Sequence, residues 1–113
     1  MKTWTLRFRA VDEKIFNEIR DGSKSVETRA ATIKYKPIEV GDVLLFVCGK
    51  KRLSKKITKK NHFSSIDFMI KKIPYKKIMP SIKSVQEMKK VYSSYSGYDE
   101  KIQEFGIFAF ELE

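Results

Sequence analysis

Two stretches of the chain are apolar at almost every position: Val43-Leu44-Leu45-Phe46-Val47-Cys48 and Gly106-Ile107-Phe108-Ala109-Phe110-Glu111-Leu112. Each is too short for a buried helix and has the length of a strand, and a strand without a polar face must be covered on both sides. The first reads as a fully buried strand and the second as a terminal strand suited to closing a barrel. Segments with one apolar face surround them. Residues 3–9 alternate Trp4, Leu6 and Phe8 with Thr5, Arg7 and Arg9, and residues 25–30 alternate Val26, Thr28 and Ala30 with Ser25, Glu27 and Arg29. Gly49-Lys50 turns the buried strand into a basic one over 52–60, where only Leu53 and Ile57 are strongly apolar.

Helix signals fall between these strands. Asp12 is placed to cap a helix carrying Val11, Ile15 and Ile19, which Gly22 stops. Ser64-x-x-Asp67 and Ser84-x-x-Glu87 have the form of capping boxes. The first opens a helix that buries Ile66, Met69, Ile70 and Ile73 before Pro74. The second opens a helix with Val85, Met88, Tyr92 and Tyr95 at core spacing, ended by Gly97. Residues 33–40 read as a polar connection. Together these elements predict an α+β fold: one domain over 1–113, a small, partly open β-barrel of about five or six strands with short α-helices at its rim.

Several function classes drop out. A single cysteine, Cys48, excludes an internal disulfide framework, and with one histidine, His62, the usual structural zinc sets are excluded, so no metal site is expected. Cys48 lies in the apolar strand, where an inert buried thiol is expected, and His62 reads as a residue leading into the Ser64 helix. There is no GxGxxG or GxxxxGK[ST], so neither a dinucleotide site nor a P-loop, and no cofactor, is expected. No apolar run approaches the ~20 residues needed to span a bilayer, and the start lacks a signal-peptide h-region. A cytoplasmic domain without a membrane partner is the expectation.

The net charge of +10 is concentrated. Residues 50–83 contain twelve basic residues and one acid, Asp67, whereas the rest of the chain is close to neutral, with 12 basic residues against 13 acidic ones. A single-sign segment favours a polyanion, nucleic acid first. Lys50, Lys51, Arg52, Lys55, Lys56, Lys59 and Lys60 are the candidates for phosphate contacts.

A second feature lies outside that segment. In Gly22-x-Lys24-x-x-Glu27-x-Arg29, Lys24 leaves the helix stop while Glu27 and Arg29 project from one face of a strand at i and i+2. If that face looks into a cleft, two cations flank a carboxylate and the Arg29 fork is held ready for phosphate or a base edge.

This pattern resembles the GxKxxExR signature of the ASCH domain, a family of PUA-like barrels. Gly41-Asp42 with its hydrophobic strand, and the closing Phe105-Gly106-Ile107-Phe108-Ala109-Phe110-Glu111-Leu112, are also similar to that family, in order and at the right spacing. The tract from Phe63 through Pro80, Ser84 and Tyr92 resembles small stand-alone archaeal and bacterial members. The resemblance implies a PUA-like β-barrel with a cleft lined by Lys24, Glu27 and Arg29, binding RNA or a modified nucleoside. Some bacterial relatives are amidohydrolases that deacylate N4-acetylcytidine, with Thr three residues after the lysine and a further Glu. Here Glu27 takes the Thr position, and residues 75–83 contain no acid. The expectation is an RNA-binding domain in which Lys24, Glu27 and Arg29 read a base and the basic strand tracks phosphates. The alternative is an enzyme acting on nucleic acid or nucleosides, with Lys24 and Glu27 as its catalytic pair, and a third reading is an adaptor for another protein.

Overall fold

The computed structural model describes all 113 residues. Strand β1 (Thr3–Phe8) leads through a 3-10 turn (Ala10–Asp12) into α1 (Glu13–Asp21), then β2 (Val26–Ala30), β3 (Val43–Cys48) and the long β4 (Lys51–Phe63). Helices α2 (Ile66–Lys72), α3 (Tyr75–Ile78), α4 (Val85–Ser94) and α5 (Tyr98–Phe105) follow, and β5 (Ile107–Leu112) ends the chain. The five strands form one sheet in the order β1-β3-β4-β5-β2, parallel between β1 and β3 and antiparallel elsewhere.

The sheet curls because β4 serves two partners. Residues 51–56 pair with β3, and residues 57–63 pair with β5, with a register shift between Ile57 and Lys59. A bulge at that point bends the strand and sharpens its twist. The result is an open half-barrel of five strands: β1 and β2 remain edges, and β5 lies inside the sheet between β4 and β2.

Both faces of this sheet carry a core, which accounts for the apolar character of β5. Phe108 and Phe110 pack with Leu6, Phe16, Ile19, Leu44, Phe46 and Ile57 on the side of α1. Ile107 and Ala109 face the other way, joining Val26, Ala30, Met69, Ile78, Met88 and Tyr92 under α2–α5. Helices α2–α5 thus form a layer on one face of the sheet, and α1 lies on the other. Val43 and Leu45 are only half-buried, whereas Val47 on the same face of β3 is buried.

Other local expectations are corrected. Asp12 precedes α1 without capping it; its carboxylate accepts from Arg9 Nε at 3.0 Å, and Val11 is 80% exposed. Phe16 and Ile19 are the buried pair of α1. The hydroxyl that caps α2 belongs to Ser65 rather than Ser64, while Ser84 caps α4 as expected, accepting from Glu87 N. Helices α3 and α5 are additional to the three anticipated. Ile38, in the supposedly polar connection, is fully buried. His62 lies on β4, its Nε2 at 2.8 Å from the Phe105 carbonyl oxygen, and Cys48 is a buried free thiol. No helix is long and apolar enough to cross a membrane.

The turn into β5 is the tightest point of the fold. Gly106 has φ +84°, and a Cβ there would lie 2.5 Å from both His62 Nε2 and the Phe63 carbonyl oxygen. Gly22 has φ +87° but open space around it. Gly106→Ala is expected to cost about 2–5 kcal/mol from combined strain and overlap, against about 1 kcal/mol for Gly22→Ala. Equilibrium denaturation of the two variants checks the difference; equal losses would refute it.

Candidate functional site

Because β2 is an edge strand, its Val26 carbonyl and Thr28 N–H have no neighbouring strand to bond. Side chains take over both. Lys24 Nζ donates to the Val26 carbonyl at 2.9 Å, and Thr28 N donates to Glu27 Oε1 at 2.9 Å. Lys24 Nζ also donates to the Ile78 carbonyl at 2.7 Å, tying the end of α3 to the start of β2. Ser25 N donates to the Lys77 carbonyl beside it. Lys24 and Glu27 are each only 6% exposed and lie 3.7 Å apart.

Glu27 and Arg29 share a face of β2, as strand alternation requires, and their register partners are Phe110 and Phe108. Arg29 Nη2 lies 3.6 Å from Glu27 Oε2, close enough for strong attraction but too long for a hydrogen bond. Glu27 Oε2 is consequently a buried carboxylate oxygen with no hydrogen-bond partner. The Arg29 guanidinium sits over the Tyr35 ring at 5.6 Å.

The electrostatics follow from burial and proximity. Burial alone would raise the Glu27 pKa, but the Lys24 ammonium and the Arg29 guanidinium outweigh it and hold the carboxyl below its ordinary value. Burial pushes the Lys24 ammonium down, opposed mainly by Glu27. Burial would lower Arg29, but the Glu27 carboxylate, with Tyr35 and Tyr98, offsets it and leaves the guanidinium raised. Glu27 is an ionised acceptor between two cations.

These residues line a cleft of about 770 Å³. Arg7 of β1 and Glu18 of α1 form one side, Lys24 with Glu27 and Arg29 of β2 the floor, and Tyr95 with Tyr98 the helical wall. It opens between the two edge strands, where the half-barrel fails to close. Tyr95 and Tyr98 meet edge to face at 5.4 Å and Tyr98 stacks with Tyr92 at 6.4 Å. Tyr92 is buried as its spacing suggested, yet its hydroxyl is hydrogen-bonded to the Thr28 hydroxyl in the cleft wall, and burial raises its pKa. Ser81, after α3, is hydrogen-bonded to Glu18 of α1 across one flank. The tyrosine wall, Arg7 and the Ser81–Glu18 bridge were not singled out from sequence. Tyr92 and Tyr95 fell on the apolar stripe of a helix, and nothing local marks α5 as covering β2.

The basic strand lies apart from the cleft: none of Lys50, Lys51, Arg52, Lys55, Lys56, Lys59 and Lys60 lines it. Strand alternation also divides them. Lys51 and Lys55 share the face of Leu53 and Ile57, whereas Arg52 and Lys56 point the other way. Lys51 pairs with Glu13 at 2.6 Å, and Lys60 donates to the Lys36 carbonyl while lying 4.5 Å from the centroid of the Phe108 ring. Arg52 and Lys56 are exposed and free of ion pairs.

No protein-family profile matches the chain, and no curated protein matches it. Solved structures do. The crystal structure of the hypothetical protein PH0355 is 29% identical, with a TM-score of 0.85 over 100% of this chain and 98% of that one. The solution NMR structure of protein PF0455 from Pyrococcus furiosus is 27% identical, with a TM-score of 0.79 over 98% of this chain and 96% of the other. The whole architecture, including the open sheet and its helical layer, is therefore shared with both.

Removing one partner of a buried ion pair leaves the other charge uncompensated. Lys24→Ala is expected to destabilise the fold by about 3–5 kcal/mol, and Lys24→Ala with Glu27→Ala by less than the sum of the single losses. A double-mutant cycle in denaturant measures the coupling; strict additivity would mean the pair is not coupled.

Proposed function

We propose that this chain is a nucleic-acid-binding domain of the ASCH type, PUA-like in fold, which takes a base, ordinary or modified, into the cleft beside Glu27. The reading rests above all on Glu27 Oε2, an ionised, buried oxygen without a hydrogen-bond donor in the wall of a cleft. Such an oxygen is costly to leave unpaired, and a base N–H or exocyclic amino group supplies the missing donor. Arg29, beside it, donates to an adjacent ring nitrogen or carbonyl. An acceptor next to a donor is the complement of a base edge. Tyr95 and Tyr98 offer ring faces and edges against which a base packs.

The charged residues of the GxKxxExR-like segment then divide the work. Lys24 braces the edge of the sheet, Glu27 accepts from the ligand and Arg29 donates to it. Exposed Arg52 and Lys56 add a sequence-independent attraction for phosphates.

Binding is favoured over the amidohydrolase alternative by the state of Lys24. Its Nζ donates to two backbone carbonyls and faces the Glu27 carboxylate, so the side chain is engaged in holding the edge of β2. The Thr28 hydroxyl, in the cleft wall, is engaged by its hydrogen bond to Tyr92.

Calorimetric titration with the four ribonucleosides and N4-acetylcytidine tests the proposal, with product analysis by chromatography. At least one nucleoside is expected to bind, and Glu27→Gln, checked for folding by circular dichroism, to weaken it by roughly 10–100-fold, the value of one hydrogen bond to a charged group. Arg29→Ala is expected to change which nucleoside binds best, whereas Lys56→Glu weakens longer RNA without regard to sequence. A folded protein that binds none of the five overturns the proposal. Release of acetate from N4-acetylcytidine would replace it with the enzymatic alternative.

A further inference from the structure

A second concavity, of about 490 Å³, lies against the cleft. Its lining includes Trp4, Arg7, Arg29, Lys34 and Tyr35, which amounts to three cations and two large aromatic rings with no acid. Arg7 and Arg29 also line the cleft, so the two cavities share these two residues. Arg7 stands on the edge strand β1 and Arg29 on the edge strand β2, on either side of the opening in the half-barrel.

The aromatic part is held in place before any ligand arrives. Trp4 Nε1 donates to Asp42 Oδ2 at 2.8 Å, and that carboxylate also accepts from the backbone N–H groups of Lys2 and Glu39. These bonds hold the Asp42 pKa at about 2. Tyr35 lies under two cations, with the Arg29 guanidinium 5.6 Å and Lys34 Nζ 5.5 Å from its centroid. Aromatic rings set among cations suit a base with its phosphate, since the ring takes the base face and the cations take the charge. A bare nucleoside in the cleft would leave both unused.

We infer that the ligand is a single-stranded nucleic acid of at least two nucleotides. One base enters the cleft at Glu27, the following phosphodiester lies between Arg7 and Arg29, and the neighbouring base packs against Tyr35 and Trp4 in the second cavity. The inference rests on the proposed reading of the cleft and extends it from a base to a strand. The Arg29 fork serves both sides, with one amino group toward Glu27 and the base edge and the rest toward the phosphate.

The test compares, by titration, the nucleoside that binds best, its 3′- and 5′-monophosphates, and the dinucleoside monophosphate made from two copies of it. The dinucleotide is expected to bind roughly tenfold or more tighter than either monophosphate, as one stacked base contributes, and the monophosphates tighter than the nucleoside. Tyr35→Ala should bring the ratio of dinucleotide to monophosphate affinity toward one, and Arg7→Ala should do the same for monophosphate over nucleoside. Arg7 and Lys34 are exposed, so Arg7→Ala and Lys34→Ala keep the test valid if Tyr35→Ala proves unstable. Lys90→Ala, which removes an equal charge from exposed α4, should leave both ratios as they are. A dinucleotide no tighter than the monophosphate overturns the second base site while the nucleoside reading stands. A loss with Lys90→Ala equal to that with Arg7→Ala reduces the phosphate position to bulk charge. Binding of neither nucleoside nor dinucleotide ends both proposals.

Discussion

Every edge strand leaves a row of backbone groups without partners, and β2 resolves that problem with charged side chains. The Lys24 ammonium occupies the Val26 carbonyl and the Glu27 carboxylate occupies the Thr28 N–H. In effect these two side chains stand in for the missing next strand, and each neutralises the charge the other buries. Lys24 also bonds the Ile78 carbonyl, so the same group that terminates the sheet docks the helical layer on it. Breaking the pair therefore disturbs more than an ion pair: it exposes an edge, frees α3 and leaves a charge in a low-dielectric wall. The cost of ending a sheet there is met by residues that also create a polar cleft floor.

That geometry depends on the sheet staying open. A closed barrel would pair β1 with β2, consume the backbone groups that Lys24 and Glu27 satisfy, and eliminate the gap from which Arg7 and Arg29 project. The bend in β4 curls the sheet without bringing β1 to β2, and two cores on opposite faces stabilise the open form. Ile107 and Ala109 bury against helices, while Phe108 and Phe110 bury against α1 and β3. β5 is apolar throughout because it separates two interiors.

Much of this was legible in the sequence at the level of periodicity. Alternation in residues 25–30 places Glu27 and Arg29 on one face, and the apolar runs identify β3 and β5. What periodicity cannot state is which face a distant element covers. A Glu-x-Arg face on an edge strand is ordinarily solvated; here Glu27 is only 6% exposed, and α5, which lines the same cleft through Tyr98, lacks a Ser or Thr cap to announce itself. The helix α3 is a single turn between Pro74 and Pro80, too short for any periodic signal. Asp12 had the right type and position for a cap but bonds Arg9 instead, a competition between neighbours that spacing does not decide. Ile38 and Tyr35 looked like loop residues because their partners, the barrel core and Arg29, come from elsewhere in the chain.

The distribution of charge acquires a different meaning in three dimensions. Concentrated in sequence, the basic residues of β4 are divided by strand alternation between two faces, so a run of cations becomes two sparser rows. Arg7, Arg29 and Lys34 are scattered in sequence, yet line one cavity with no acid among them. Linear clustering is therefore a poor guide to potential in a β protein, where neighbours in sequence point apart and residues of edge strands far apart in sequence converge. The charges of exposed Arg52 and Lys56 reach outward into solvent, where salt screens them. Arg29 is held by Glu27 and Tyr35 in a partly desolvated wall, where screening is weak and direction matters. On the proposed reading, general attraction for a polyanion and discrimination among its bases fall to different cations, and only the second kind is built into the fold.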